Sequence, residues 1–111
     1  MMRDVGPAVG LVTSLLATEY PDEPMVILWS DHLVRNEILF RKILQSAGEV
    51  IKKDPNKIIF VAQKPRFASE NLGWIEYGKV LNEKDAIEFH AFVDFQYRPD
   101  EQTAQKHVAS G

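Results

Sequence analysis

Residues 25–32, with the sequence MVILWSDH, constrain the fold of this chain more than any other stretch. The apolar run at 26–29 is uninterrupted and ends abruptly in Ser30, Asp31 and His32. Such a run is typical of a strand buried on both faces of an α/β sheet. Because ligands of open α/β sheets bind beyond the carboxyl ends of the strands, Asp31 is the first candidate site residue. The alternative is that Ser30 and Asp31 end the strand and cap the following helix.

Helical spacing of apolar residues predicts three helices. The first begins near Gly6 and Pro7 and ends near residue 19, the second covers about 36–53, and the third covers 100–109 after Pro99. A second apolar run at 58–62 predicts another buried strand. The order strand, helix, strand then predicts a parallel pair joined by a right-handed crossover.

The second half of the chain carries a different pattern. Residues 74–81 predict a strand weakened by Gly78, and apolar residues alternate strictly over 87–97, which is typical of antiparallel pairing. His90 and Asp94 could be a metal pair, but a zinc site needs three or four ligands and no third is obvious. The alternative is an exposed strand face. His107, near the end of the last helix, is expected on the surface.

Length and composition exclude several classes of protein. The 111 residues suit one small domain, 1–111, and no apolar run approaches the roughly 18 residues that span a membrane. A net charge of -3 with scattered lysines argues against a nucleic-acid partner. The chain has no cysteine and its first residues lack the pattern of a secretory signal, so we expect a cytoplasmic protein.

Four short motifs, in order, carry a resemblance to a known family: RDVGPA at 3–8, WSDH at 29–32, GWIEYG at 73–78 and FQYRPD at 95–100. Together they resemble sugar-1-phosphate nucleotidyltransferases, in particular mannose-1-phosphate guanylyltransferases, over nearly the whole chain. The resemblance implies an α/β chain that forms part of a doubly wound, Rossmann-like nucleotide-diphospho-sugar transferase fold, with parallel strands plus an antiparallel ribbon.

The same resemblance implies a reaction and its residues. Mannose 1-phosphate and GTP would give GDP-mannose and pyrophosphate, with Mg²⁺ bridging the phosphates. Asp31 matches the metal aspartate of the family, and Arg98 stands where the family has a lysine that meets the sugar phosphate. Gly73 matches a glycine that lets the backbone approach the sugar, and Trp74 adjoins it. Residues near the nucleotide base are matched by Arg3, Gly6 and Pro7.

The chain also departs from the family. Tyr97 stands where the family has a glutamate that meets the sugar hydroxyls. The glycine-rich, phosphate-cradling loop at the N-terminus of the family has no counterpart, so we expect an internal fragment that is inactive alone. An uncovered strand edge would favour self-association. The alternatives are a non-catalytic interaction or regulatory module derived from this fold, and a transferase for another sugar 1-phosphate.

Overall fold

A computed structural model describes residues 5–111 as three helices and one antiparallel two-stranded sheet. The elements, in chain order, are α1 (Val5–Glu19), α2 (Glu37–Lys53), β1 (Gly73–Lys84), β2 (Ile87–Tyr97) and α3 (Glu101–Ser110). The chain divides into two compact units, one ending at Ile59 and the other beginning at Phe60. The predicted α/β class, the three helices and the antiparallel ribbon are confirmed.

Helix α2 begins and ends where local chemistry predicts. The side chain of Asn36 accepts a hydrogen bond from the backbone N–H of Leu39 over 3.0 Å, which satisfies one of the free donors of the first turn. At the other end, the N–H of Asp54 donates to the carbonyls of Val50 and Ile51, and Pro55 follows. The helix therefore needs no tertiary contact to fix its bounds.

Helix α1 and the segment after it form a shallow apolar groove in the first unit. No described residue of α1 is buried. The hydroxyl of Thr13 lies 3.5 Å from the sulfur of Met25, so the segment passes alongside the helix. The groove is lined by Ala8, Val9, Val12, Leu16, Met25, Val26, Ile27 and Leu28.

Neither predicted parallel strand is present among residues 5–111. Residues 25–29 and 58–62 lie outside every helix and strand, and β1 and β2 form the only sheet of the described residues. A strand exists only when a neighbour pairs with its backbone, and no such neighbour is found there. Trp29 remains 50% exposed and Ile58 84% exposed. The prediction of a parallel pair with a crossover is therefore wrong for this structure.

Strands β1 and β2 form a hairpin with a two-residue turn at Asp85 and Ala86. Both turn residues have positive φ, 53° and 62°, as a type I′ turn requires. The register shifts three times along the ribbon. At one shift, the partners change from Glu76–Asp94 to Tyr77–Phe92, which leaves Val93 as an extra residue.

The shift at Val93 alters which side chains share a face. Phe92 and Phe95 both stack on Phe60, with centroid distances of 5.5 and 6.4 Å. Strict alternation would have put Phe92 and Phe95 on opposite faces. The predicted single apolar face over 87–97 is therefore wrong across the bulge.

Helix α3 is capped by Asp100 and contacts the ribbon through His107, which lies against Trp74 and Gln96. The Asp100 carboxylate accepts a hydrogen bond from the N–H of Thr103 over 2.7 Å, and this bond lowers the pKa of Asp100. Ala104 is fully buried and Pro99 is also buried. None of the helices in residues 5–111 has the length and apolarity needed to cross a membrane.

Candidate functional site

The structure brings the candidate residues Gly73, Trp74 and Arg98 together at the end of the ribbon where β1 starts and β2 finishes. Gly73 pairs with Tyr97, and the N–H of Arg98 donates to the carbonyl of Leu72 over 3.1 Å. We call these four residues the open end of the ribbon. Trp74 is the next residue along β1, so Gly73, Trp74 and Arg98 lie within one small region.

Arg98 carries the charge of the open end. Its φ of 49° lies in the left-handed region, which residues with a side chain rarely adopt. The guanidinium carbon lies 5.1 Å from the centroid of the Tyr97 ring, within the range of a cation–π contact. Arg98 is exposed, so its charge is available to an anion from solution.

Gly73 is required by its neighbour across the ribbon. A Cβ atom at this position would lie 2.6 Å from Cε2 and 2.7 Å from Cζ of Phe95, well inside ordinary carbon–carbon contact. The family resemblance implies that this glycine lets the backbone approach a sugar. The structure shows that the space above Gly73 is occupied by an aromatic ring.

Trp74 is held by its surroundings. Its indole N–H donates to the carbonyl of Ser69 over 3.0 Å, and its ring centroid lies 5.4 Å from that of His107. His107 also lies 2.8 Å from the amide oxygen of Gln96, and is half-buried. The prediction that His107 is ordinary surface is wrong, because the residue joins α3 to both strands.

Asp31 lies in the first unit, in a turn closed by a 3.3 Å bond from the His32 N–H to the Trp29 carbonyl. Its exposed carboxylate has no hydrogen bond or ion pair with another residue of 5–111. The cap of α2 is Asn36, five residues later. The capping alternative for Asp31 is therefore wrong, and its carboxylate is available for a cation.

The nucleotide-side candidates lie at the start of α1. Gly6 and Pro7 occupy its first turn, where both are exposed and a Cβ added at Gly6 would meet nothing within 4 Å. Pro7 suits this turn because its missing N–H would have no partner there. Arg3 lies outside the described residues.

His90 and Asp94 do not form a metal pair. His90 is half-buried, with Nδ1 3.1 Å from the Gly78 carbonyl and Nε2 2.9 Å from the Glu88 carboxylate. The Asp94 carboxylate accepts instead from the N–H of Phe95 over 2.8 Å. Among residues 5–111, no three His, Cys, Asp or Glu side chains converge as a metal site would require. His90 is therefore a packed residue of the ribbon.

Comparison with known proteins tests the resemblance carried by the four motifs. The chain is 30% identical over 112 residues to mannose-1-phosphate guanylyltransferase ManC of Salmonella typhimurium, covering 98% of this chain and 23% of that protein. The resemblance to mannose-1-phosphate guanylyltransferases is confirmed. The Escherichia coli K12 mannose-1-phosphate guanylyltransferase is 29% identical over 112 residues, again with 98% and 23% covered. Xanthan biosynthesis protein XanB of Xanthomonas campestris is 32% identical over 110 residues, with 98% and 22% covered.

These matches cover a limited part of each relative. The chain spans less than a quarter of the length of the mannose-1-phosphate guanylyltransferases it matches. No family model matches the chain. No solved structure matches it either.

Proposed function

We propose that this chain contributes part of the active site of a mannose-1-phosphate guanylyltransferase. The observation that carries the proposal is the similarity to proteins of that name along 98% of the chain. In the reaction, a phosphate oxygen of mannose 1-phosphate attacks the α-phosphorus of GTP. The bond to the leaving pyrophosphate breaks, and GDP-mannose forms. Protein side chains in such a displacement position the reactants and neutralise charge.

Arg98 binds the phosphate of mannose 1-phosphate in this proposal. Its guanidinium is exposed at the open end of the ribbon and has a donor geometry that matches phosphate oxygens. Gly73 and Trp74 border the same region. The Phe95 ring lies over Gly73 and is 46% exposed, so in this proposal the sugar meets the ring and not the Gly73 backbone.

Asp31 and the start of α1 form the nucleotide side of the proposal. Mg²⁺ is usually held by one or two carboxylates together with substrate phosphates, and the exposed carboxylate of Asp31, unpaired among residues 5–111, fits that role. The bound ion would neutralise phosphate charge. Arg3, Gly6 and Pro7 would lie near the guanine base.

The chain alone is proposed to be inactive. A triphosphate is commonly held by backbone donors of a glycine-rich loop at a helix N-terminus. The six glycines of this chain lie instead in α1, α2 and β1, and at the end of α3. GTP binding is therefore expected to need residues supplied by another part of the enzyme.

An amide-detected NMR titration with mannose 1-phosphate tests the sugar-phosphate part of the proposal. The amides of Gly73, Trp74 and Arg98 should shift, and Arg98→Gln should abolish the shifts. The matched control is Arg66→Gln, which removes an exposed arginine from the same unit without touching the open end. Shifts that survive Arg98→Gln, or that respond equally to Arg66→Gln, would refute the assignment.

The groove along α1 favours a second proposal, that two copies of this chain associate through it. Eight large apolar side chains of α1 and the following segment expose between 39% and 63% of their surface: Leu11, Val12, Leu15, Leu16, Met25, Val26, Ile27 and Leu28. Six of these eight side chains, all except Leu11 and Leu15, line the groove itself. A second copy supplies a matching apolar area because the interface of a two-fold dimer is self-complementary.

Sedimentation equilibrium tests this association. We expect a dimer that Val12→Glu converts to a monomer, while Ile38→Glu leaves it intact, because Ile38 is exposed in the same unit but lies outside the groove. A monomeric wild-type chain would exclude the dimer and favour another occupant of the groove.

A further inference from the structure

The backbone at Arg98 is held in a conformation that needs an explanation. A positive φ is unfavourable for any residue with a side chain, and such residues persist only when the surroundings fix them. Two contacts do so here. The Arg98 N–H bonds to the Leu72 carbonyl, and the guanidinium lies over the ring of Tyr97. Together they fix both ends of the residue.

The Tyr97 ring is itself fixed from the other side. Its centroid lies 6.5 Å from that of Phe95, with the ring planes at 20°, and Phe95 stacks in turn on Phe60. Arg98 is thus the cationic end of a row of aromatic rings. A flexible arginine would otherwise lose considerable conformational entropy on binding an anion.

We propose that Tyr97 is a positioning residue that holds the Arg98 guanidinium at the open end of the ribbon, ready to receive the phosphate of a sugar phosphate. This inference rests on the proposed function for its ligand. A cation–π contact suits the task because the ring face attracts the charge without supplying a competing carboxylate. Arg98 has no ion pair with any other residue of 5–111, so its donors remain available to phosphate oxygens.

Tyr97 could act through its ring, by holding Arg98, or through its hydroxyl, by contacting the sugar, and two substitutions distinguish these roles. If the ring is what matters, Tyr97→Phe retains function and Tyr97→Leu does not. Loss of an exposed cation–π contact should weaken mannose 1-phosphate binding about two- to fivefold.

NMR on the 111-residue chain provides both readouts. The δ-methylene protons of Arg98 should show an upfield ring-current shift that Tyr97→Phe retains and Tyr97→Leu abolishes. Dissociation constants for mannose 1-phosphate and inorganic phosphate are measured on the same samples. Phe92→Leu is the matched control, because it removes a ring that stacks on Phe60, at the other end of the row from Arg98, and should leave both readouts unchanged. Cross-strand contacts between Gly73 and Tyr97 establish that each variant keeps the ribbon.

The NMR and binding results distinguish failure of the Tyr97 role from failure of the proposed function. The inference is overturned if wild-type Arg98 shows no ring-current shift, if Tyr97→Leu binds as tightly as wild type, or if wild type binds neither anion. If inorganic phosphate binds with the expected dependence on Tyr97 but mannose 1-phosphate binds no better, the positioning role is supported. The proposed function would fail in that case.

Discussion

Replacing Gly73 with alanine tests whether the Phe95 ring, and not a ligand, dictates the glycine. The new Cβ would lie 2.6 Å from the ring, so the ring must move by about 1 Å to reach a normal carbon–carbon distance. That movement disturbs the stacking of Phe95 on Phe60 and on Tyr97. The rest of the ribbon should be unaffected.

The expected change in the stability of the ribbon is the difference between two opposing effects of the substitution. Each aromatic pair contributes about 0.5–1.5 kcal/mol, so disturbing both costs about 1–3 kcal/mol. Alanine is more favourable than glycine within a strand by about 0.5–1 kcal/mol, which offsets part of that cost. We therefore expect Gly73→Ala to destabilise the ribbon by about 1 kcal/mol, a roughly fivefold change in an opening equilibrium.

Native-state hydrogen exchange of the β1 and β2 amides measures this change within the ribbon itself. Gly78→Ala is the matched control: its Cβ would lie 3.3 Å from Cγ2 of Val93, an exposed side chain that can move, so we expect a neutral or slightly stabilising effect. In a Phe95→Ala background, Gly73→Ala should become stabilising. An equal cost in both backgrounds would refute the role of the ring.

Three further predictions concern the helix caps and the turn. Asn36→Ala should destabilise α2 by about 1 kcal/mol, whereas Asn36→Asp should not, as measured by helical circular dichroism during urea unfolding. Ala86→Gly should slow hydrogen exchange across the hairpin by stabilising it about 0.5–1 kcal/mol, because alanine is strained at a φ of 62°; faster exchange would contradict this. The lowered pKa of Asp100 means that its ionised form stabilises α3 above its ordinary pKa of about 3.9, and that this contribution is lost as the pH falls through the lowered value. Wild type should therefore lose more stability than Asp100→Asn on acidification from pH 5 to about pH 2, and parallel acid titrations of the two proteins would contradict the assignment.

The elements with local signals were predictable from the sequence. Pro7, Asn36 and Pro99 mark the starts of helices through their own backbone and side-chain chemistry, and the structure confirms each within about two residues. The antiparallel ribbon was equally predictable from period-two alternation. None of these features depends on residues far away in the chain.

The failures share a physical cause, which is dependence on a distant neighbour. The apolar runs at 26–29 and 58–62 have the composition of buried strands, but a strand forms only with a pairing partner. The bulge at Val93 could not be predicted from alternation, because the extra residue is defined only by the opposite strand. His107 was assigned to the surface because its contacts with Trp74 and Gln96 lie far away in sequence.

The residues of the candidate site could be predicted from the sequence, but their contacts with one another could not. The motif resemblance indicated Gly73, Trp74 and Arg98, and the ribbon register brings them together. The ring over Gly73 and the stacking of Arg98 on Tyr97 emerge only from that register. They also suggest a reason for a tyrosine at position 97 that the family pattern does not supply.

Titration calorimetry of the 111-residue chain shows which of the two substrates this chain binds by itself. We expect weak binding of mannose 1-phosphate, with a dissociation constant on the order of 1 mM, equivalent to about -4 kcal/mol. We expect no binding of GTP with Mg²⁺, since none of the glycines forms a loop that could cradle a triphosphate. Tight GTP binding, or no binding of mannose 1-phosphate at millimolar concentration, would contradict the division of the site proposed above.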